Sequence, residues 1–324
     1  FDFAIKSSII CIDFSNKIKG SNAPSRAKRA VKKGDILFST VRPNLKAYGY
    51  VEREDFDCCV ASTGFAVISA KNMVLSKYVY YMLYSEPVQA QLASMMGKGA
   101  YPSVNQKDVS QIQIPLPPLS VQEKVVTEID RYQKIINGTK QITDNYLPAV
   151  STSASWPVVK LGMVFKLASG KGLPAKNRFD GPYNVYGGNG ITGKHSEYFV
   201  DSPTLTIGRV GEYCGAAHIT SSKCWITDNA LMVTEYLTEV NPEYLEAIIN
   251  QIDLNQYAKV GGQPSISQST VYNVPIPLPN IDVQNSIASQ IRYEKSIIQQ
   301  NKKLAEIFVQ KITDIINNVW GITK

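Results

Sequence analysis

The sequence is poor in the residues on which catalytic and metal sites are built. Its 324 residues include only two histidines, His195 and His218, and five cysteines. Cys11, Cys58, Cys59, Cys214 and Cys224 are odd in number and show no Cys-x-x-Cys spacing. That pattern predicts free thiols in a reducing cytoplasm and argues against a zinc site. Two histidines leave little material for a metal centre or a histidine-based triad, and both are expected in loops or at the surface. No apolar run approaches the ~20 residues that a membrane helix needs. The opening Phe1-Asp2-Phe3-Ala4-Ile5-Lys6 lacks the charged-then-apolar order of a signal peptide. It also lacks an initiator Met, which leaves open a processed chain or a piece of a longer one.

Catalytic motifs are missing as well. No Asn/Asp-Pro-Pro-aromatic tetrapeptide, which an adenine methyltransferase needs to hold a flipped base, occurs: Pro117-Pro118 lies between Leu116 and Leu119. The Gly187-Gly188-Asn189-Gly190 loop lacks the phosphate-cradling GxxxxGK[ST] pattern and reads as a turn that needs positive φ. Asp180, Asp201 and Asp228 are too scattered for a nuclease metal cluster. Neither Cys58-Cys59 nor Cys214 has a neighbouring histidine to activate it. The expectation is a chain with no catalytic residue and no metal ligand.

What is present is a globular composition, 44% hydrophobic and 19% charged, with a formal net charge of +7. The charge favours an anionic partner such as nucleic acid, though weakly by itself. The stronger signal is duplication. Tyr101-Pro102-Ser103-Val104-Asn105-Gln106 recurs as Gln263-Pro264-Ser265-Ile266-Ser267-Gln268, an offset of 162 residues. At the same offset Ile112-Gln113-Ile114-Pro115-Leu116-Pro117 falls on Val274-Pro275-Ile276-Pro277-Leu278-Pro279, and Val121-Gln122 on Val283-Gln284. Upstream the match loosens: Ser62-Thr63-Gly64-Phe65-Ala66-Val67 pairs with Thr227-Asp228-Asn229-Ala230-Leu231-Met232. The second half opens at Trp156-Pro157; the same opening in the first half would fall before residue 1, so the first half reads as trimmed.

A long helix is predicted after each proline motif. In the first, Ser120 is a candidate N-cap with Glu123 three residues on, Val121, Val125, Ile129, Tyr132 and Ile136 share one face, and Gly138 is expected to interrupt it. In the second, Ile287, Ile291, Glu294, Ile298, Asn301, Ala305, Phe308, Ile312, Ile315 and Val319 alternate steps of four and three, a coiled-coil seam. The fold expectation is α+β: two mixed, strand-rich domains separated by two long antiparallel coiled-coil helices. The segments are 1–117, a first domain; 118–150, a central helix and linker; 151–280, a second domain; and 281–324, a distal helix.

DNA contact calls for cations on phosphates and polar groups on base edges. Arg26, Lys28, Arg29, Lys32 and Lys33 form a basic run that reads equally as a solvated face. Arg42, Asn44 and Lys46 follow a first-half strand, and Arg209 follows the corresponding second-half strand. The repeated turn adds Lys98, Tyr101 and Ser103 in one half and Lys259, Gln263 and Ser265 in the other; it could equally serve only to build the junction with the helix. Lys171, Lys176, Arg178, Tyr186, Asn189 and Lys194 surround the glycine-rich loop, whose glycines would let the backbone approach a groove closely.

Gly34-Asp35-Ile36-Leu37-Phe38-Ser39, the two Pro-Leu-Pro…Val-Gln junctions, the helices behind them, Trp156-Pro157…Lys160-Leu161-Gly162 and Gly187-Gly188-Asn189-Gly190-Ile191 together resemble the specificity subunits of type I restriction–modification enzymes. The resemblance covers nearly the whole chain, and its strength lies in the order and duplication of the motifs. It implies two target-recognition domains, each reading a half-site of a bipartite, asymmetric DNA target. It implies as partners double-stranded DNA, two methyltransferase subunits and, in the full complex, restriction subunits, with no membrane. S-adenosylmethionine, ATP and Mg are then expected on those partners and no cofactor on this chain. A C-terminal specificity region of a fused methyltransferase–specificity protein and a coiled-coil scaffold that does not bind DNA are the competing readings.

Overall fold

The computed structural model describes residues 22, 24–52, 59–96, 102–174, 180–259 and 262–322. The chain divides into two compact units, residues 1–145 with 298–324 and residues 146–297. These bounds cut across the four segments expected from sequence, because each long helix is packed on a strand-rich core rather than standing apart.

In the first unit, β1 (Ala27–Val31) pairs with β4 (Cys59–Ser62), and β2 (Ile36–Ser39) lies between β3 (Tyr48–Tyr50) and β5 (Phe65–Ile68). The Gly34-Asp35 motif starts β2. Gly34 takes φ +87°, open to glycine at no steric cost. The buried Asp35 carboxylate accepts from the Lys32 backbone N–H at 2.9 Å and the Ser69 hydroxyl at 2.6 Å. Four helices follow: α1 (Ser76–Met82), α2 (Glu86–Met95), α3 (Gln106–Ser110) and α4 (Leu119–Asn145).

In the second unit, β10 (Leu205–Gly208) lies between β11 (Ala217–Ile219) and β13 (Ala230–Tyr236), with β7 (Phe165–Ser169) on the far side of β13. A smaller sheet sets β8 (Tyr183–Gly187) between β9 (Gly190–His195) and β12 (Trp225–Ile226), and β6 (Val158–Lys160) pairs with β14 (Pro275–Pro277). Its helices are α5 (Pro242–Ile252), α6 (Gln268–Tyr272) and the start of α7 (Ile281–Val319), whose residues from Ile298 on belong to the first unit.

The duplication extends to strand register. Leu37 pairs with Gly49 and Val67, as Thr206 pairs with His218 and Met232. Phe38 pairs with Tyr48 and Ala66, as Ile207 pairs with Ala217 and Leu231. The proline junctions repeat too. The Tyr78 hydroxyl donates to the Pro115 carbonyl at 2.8 Å, and that of Tyr244 to Pro277 at 2.7 Å. Gln122 and Gln284 are both buried. Gln122 donates to the Pro117 carbonyl and accepts from the N–H of Leu75, just before α1; Gln284 donates to Pro279 and accepts from Asn241, just before α5. The Val-Gln pair of the repeat thus ties the start of one helix to the turn that launches the next.

The long helices keep most of their expected faces. Val125, Ile129 and Ile136 of α4 are buried in one apolar cluster with Ile312 and Ile316 of α7, against which Tyr132, Phe308 and Ile315 pack. The Tyr132 and Phe308 rings lie 5.1 Å apart. Nearer its start α7 buries Ala288 and places Ile291 in the second unit's core, with Ile287 packed against it, while Ile298 is half-buried. The seam is less strict than a heptad, since Ala288 and Ile316 are more deeply covered than Ile287 and Ile315. Glu294 is not a bare interruption, for its carboxylate accepts from the Tyr146 hydroxyl at 2.9 Å and from Gln290 at 3.0 Å.

Four expectations are corrected. Ser120 lies inside the first turn of α4 rather than capping it, and α4 runs unbroken through Gly138. Val121 is 39% exposed while its neighbour Gln122 is buried. His195 is no surface residue: it is buried on β9 with its ring edge-on to Trp225 at 5.3 Å. No helix among the described residues is long and apolar enough to cross a membrane.

Candidate functional site

Each unit clamps the exit of its central strand onto the repeated Pro-Ser turn, and the two clamps share one hydrogen-bond pattern. In the first unit, the Arg42 N–H donates to the Pro102 carbonyl at 2.8 Å and the Val104 N–H to the Thr40 carbonyl at 3.0 Å, with Val41 bridged to Ser103. In the second, the Gly211 N–H donates to Pro264 at 2.9 Å and the Ile266 N–H to Arg209 at 2.9 Å, with Val210 bridged to Ser265. The next strand joins in both: Thr40 donates to the Gly64 carbonyl, and Arg209 to that of Asn229. Thr40, Val41 and Arg42 therefore stand where Arg209, Val210 and Gly211 stand. Sequence reasoning placed Arg42 and Arg209 behind equivalent strands, which is right, but they are two positions out of step.

The turn that follows the first clamp is short and rigid. Pro43–Leu45 forms a single 3-10 turn between two left-handed residues, Arg42 at φ +50° and Lys46 at φ +53°. Pro43 is buried and its carbonyl accepts from the Tyr48 hydroxyl at 3.1 Å. Arg42, Asn44 and Leu45 face solvent, Leu45 at 65% exposure. Burial lowers the Lys46 pKa from its ordinary value, opposed by the charge of Glu86.

Beside the second clamp lies a cleft of about 400 Å³ lined by Arg209, Asp228, Asn229, Lys259, Ser265 and Ser267, among others. Arg209, from the strand exit, and Lys259 and Ser265, from the repeated turn, thus line one cleft. Lys259 is anchored by its backbone N–H to the Ser265 carbonyl at 2.9 Å, and one guanidinium nitrogen of Arg209 reaches the Ser169 hydroxyl at 3.4 Å. Ser103 and Ser265 sit in the clamps themselves, so the repeated turn builds the junction in both units. Gln263 is exposed next to it.

The glycine-rich loop finds its close approach within the chain itself. A Cβ on Gly188 would lie 2.9 Å from the Val210 carbonyl oxygen, and one on Gly208 would lie 2.1 Å from that of Gly188. Gly190 turns the hairpin at φ +79°. The loop backbone thereby packs on the clamp, with Asn189 exposed. Tyr186 is a correction. It is 6% exposed and its hydroxyl accepts from the Ser221 N–H at 2.8 Å, which makes it a core residue rather than a contact for a partner.

Lys171 and Lys194 are exposed, the former with its ammonium 4.4 Å from the centroid of the Phe199 ring. Lys98, Tyr101, Lys176 and Arg178 lie outside the described residues. Of the basic run, Lys28 and Arg29 fall on β1 and Lys32 and Lys33 on the turn after it. Two polar residues of the cleft, Asp228 and Asn229, were not singled out as site residues from sequence; the signal was their match to Thr63-Gly64, which places them beside the clamp. Among the described residues no three His, Cys, Asp or Glu side chains converge to hold a metal ion. Cys214 and Cys224 are buried, and burial pushes both thiols up in pKa.

The model of the type I restriction modification DNA specificity domain matches residues 4–145 and again 154–307. The specificity subunit of the type I restriction enzyme EcoprrI of Escherichia coli is 28% identical over 134 residues, 40% of this chain and 33% of that protein. The HindI specificity subunit of Haemophilus influenzae is 33% identical over 106 residues, 32% of this chain and 23% of its own length. The matched stretch is therefore a third or less of either relative. A solved chain from work on the complex assembly and conformational transition of the type I R-M system has the same fold, with a TM-score of 0.63 at 22% identity, over 94% of this chain and 86% of that one.

Proposed function

This chain belongs to the type I restriction modification DNA specificity domain family, and from that premise we propose that it reads a DNA target in two parts and brings partner subunits to it. The observation that carries this reading is the duplicated clamp: one backbone frame, built twice, with different side chains at its edge. A frame held by strands and turns keeps its reading groups in place. Different groups on the same frame select different bases, so the two half-sites differ and the target is asymmetric.

The chemistry belongs to the partners in this proposal. Two methyltransferase subunits bind S-adenosylmethionine and methylate the target, and restriction subunits supply ATP- and Mg-dependent cleavage. This chain holds none of those cofactors. The two helices act as a ruler for the gap between half-sites. The 27 residues of α4 and 39 residues of α7 extend about 40 Å and about 58 Å at 1.5 Å per residue, lengths on the scale of one DNA turn, about 34–36 Å.

The test is co-expression with a type I methyltransferase subunit from the same genome, followed by mapping of methylated adenines. The expected result is a stable complex and one bipartite methylated motif with a fixed gap. No complex and no motif would overturn the reading, as would DNA affinity that ignores salt, because phosphate contacts release counterions and weaken steeply as salt rises.

A further inference from the structure

The twin clamps carry one arginine each, but on opposite sides of the bridged valine. In the second unit the left-handed position is Gly211 at φ +98°, and the arginine precedes the valine as Arg209. In the first unit the residue before the valine is Thr40, and the left-handed position itself is Arg42, at φ +50°. Glycine takes that conformation freely; a residue with a Cβ is strained in it. The first unit thus keeps an arginine where its own duplicate shows that glycine fits. Arg42 is one of five non-glycine residues with positive φ among the described residues. An exposed arginine kept where the duplicate has glycine points to a use for its side chain.

The second clamp sets its arginine in a polar cleft. Arg209 is exposed and lines the same cleft as Asp228. A guanidinium has five donors in a fixed fork, and Ser169 engages one of them. The fork matches the O6 and N7 acceptors of guanine in the major groove, and a carboxylate accepts from the N4 amino group of cytosine. An arginine and a carboxylate in one cleft therefore offer both halves of what a G·C pair displays. Lys259, on the same cleft, carries the positive charge suited to a phosphate.

We propose that the clamp arginine is the guanine-reading side chain of each unit: Arg209, aided by Asp228, in one half-site, and Arg42 in the other. The two-position shift of the arginine on a common frame then makes the units read different sequences. This inference rests on the reading of the chain as a DNA specificity protein, and the test separates the two.

The experiment selects bound duplexes from a randomised duplex library with the full chain and its Arg42→Gly, Arg209→Gln and Lys259→Ala variants, and measures affinity for the selected consensus. Wild type selects a two-part consensus with a G·C pair in each half. Arg209→Gln loses the preference at one G·C pair in one half only, with roughly 5- to 150-fold weaker binding to the consensus. Arg42→Gly does the same in the other half while its thermal midpoint holds or rises. Lys259→Ala weakens all sequences alike and lowers the salt slope by about one. An unchanged consensus in both arginine variants overturns the proposal and leaves DNA reading intact. So does a lowered midpoint in Arg42→Gly, which would make that arginine structural. A wild type that selects nothing and binds without salt dependence removes the underlying reading instead.

Discussion

The side-chain carbonyl of Gln122 accepts the backbone N–H of Leu75 at 3.0 Å, across 47 residues of chain. The same carboxamide donates to the Pro117 carbonyl at 2.8 Å, and Gln284 repeats the pair of bonds with Asn241 and Pro279. Removing either glutamine strands a buried donor and a buried acceptor, each costing about 1–3 kcal/mol. Gln122→Ala and Gln284→Ala are expected to destabilise their own units by about 2–4 kcal/mol. Urea unfolding followed by hydrogen exchange shows which unit weakens; a loss below ~0.5 kcal/mol, the range of neutral surface changes, would refute the role.

The tyrosine donors of the junctions predict sensitivity to alkali. Burial pushes the phenols of Tyr78 and Tyr244 up to about 12 from 10.0. Folded protein therefore keeps protons that the unfolded chain sheds, so this contribution is full below pH 10 and is lost as pH rises towards 12. A falling thermal midpoint across that window is expected, and Tyr78→Phe with Tyr244→Phe should flatten it while costing about 1 kcal/mol each at neutral pH. A window no shallower in the double variant would remove these tyrosines from the explanation.

Ile129 and Ile312 are buried in one cluster that joins α4 to the end of α7. Ile129→Ala and Ile312→Ala should each cost about 2–5 kcal/mol. Because they share a core, their sum should miss the double variant by at least ~0.5 kcal/mol. Strict additivity in denaturant titrations would mean that the helices are held independently.

Inserting four residues in register into both α4 and α7 adds about 6 Å to each helix. With one DNA turn of 10–10.5 base pairs in about 34–36 Å, the methylated motif should keep its half-sites and gain about two base pairs of gap. Sequencing of the modified genome reads this directly, and an unchanged gap defeats the ruler.

Much of this architecture was legible in the sequence because the repeat is ungapped where it matters. Gln122 and Gln284, the paired prolines, and Asn105 and Ser267, which cap α3 and α6, all fall at one offset, and the members of each pair do the same work. Upstream the legibility fades, since the offset drifts: Gly64 and Asn229, and Thr40 and Arg209, are equivalent in the clamps but lie further apart in sequence than the paired prolines. The register of β2 and β10 is fixed by backbone hydrogen bonds that no side chain announces, so in sequence Arg42 and Arg209 read as counterparts. Tyr186 is hidden from sequence for another reason. On β8, between β9 and β12, Val185 and Tyr186 are both buried, so the alternation that separates inward from outward residues is absent. Val121 is apolar and so reads as inward, yet the inner position is taken one residue later by a glutamine whose carboxamide bonds Leu75, Met73 and Pro117.

A chain that folds the same sheet twice supplies its own reference. Gly49 and His218 hold one place in two copies of a three-stranded ladder, as do Phe38 and Ile207. A substitution made at both members of such a pair shares its backbone setting, so the difference between the two effects isolates what the surrounding side chains contribute. Exchanging the residues of a pair, Thr40 with Arg209 or Arg42 with Gly211, turns the comparison into a transplant, in which a preference for a base either travels with the side chain or stays with the unit.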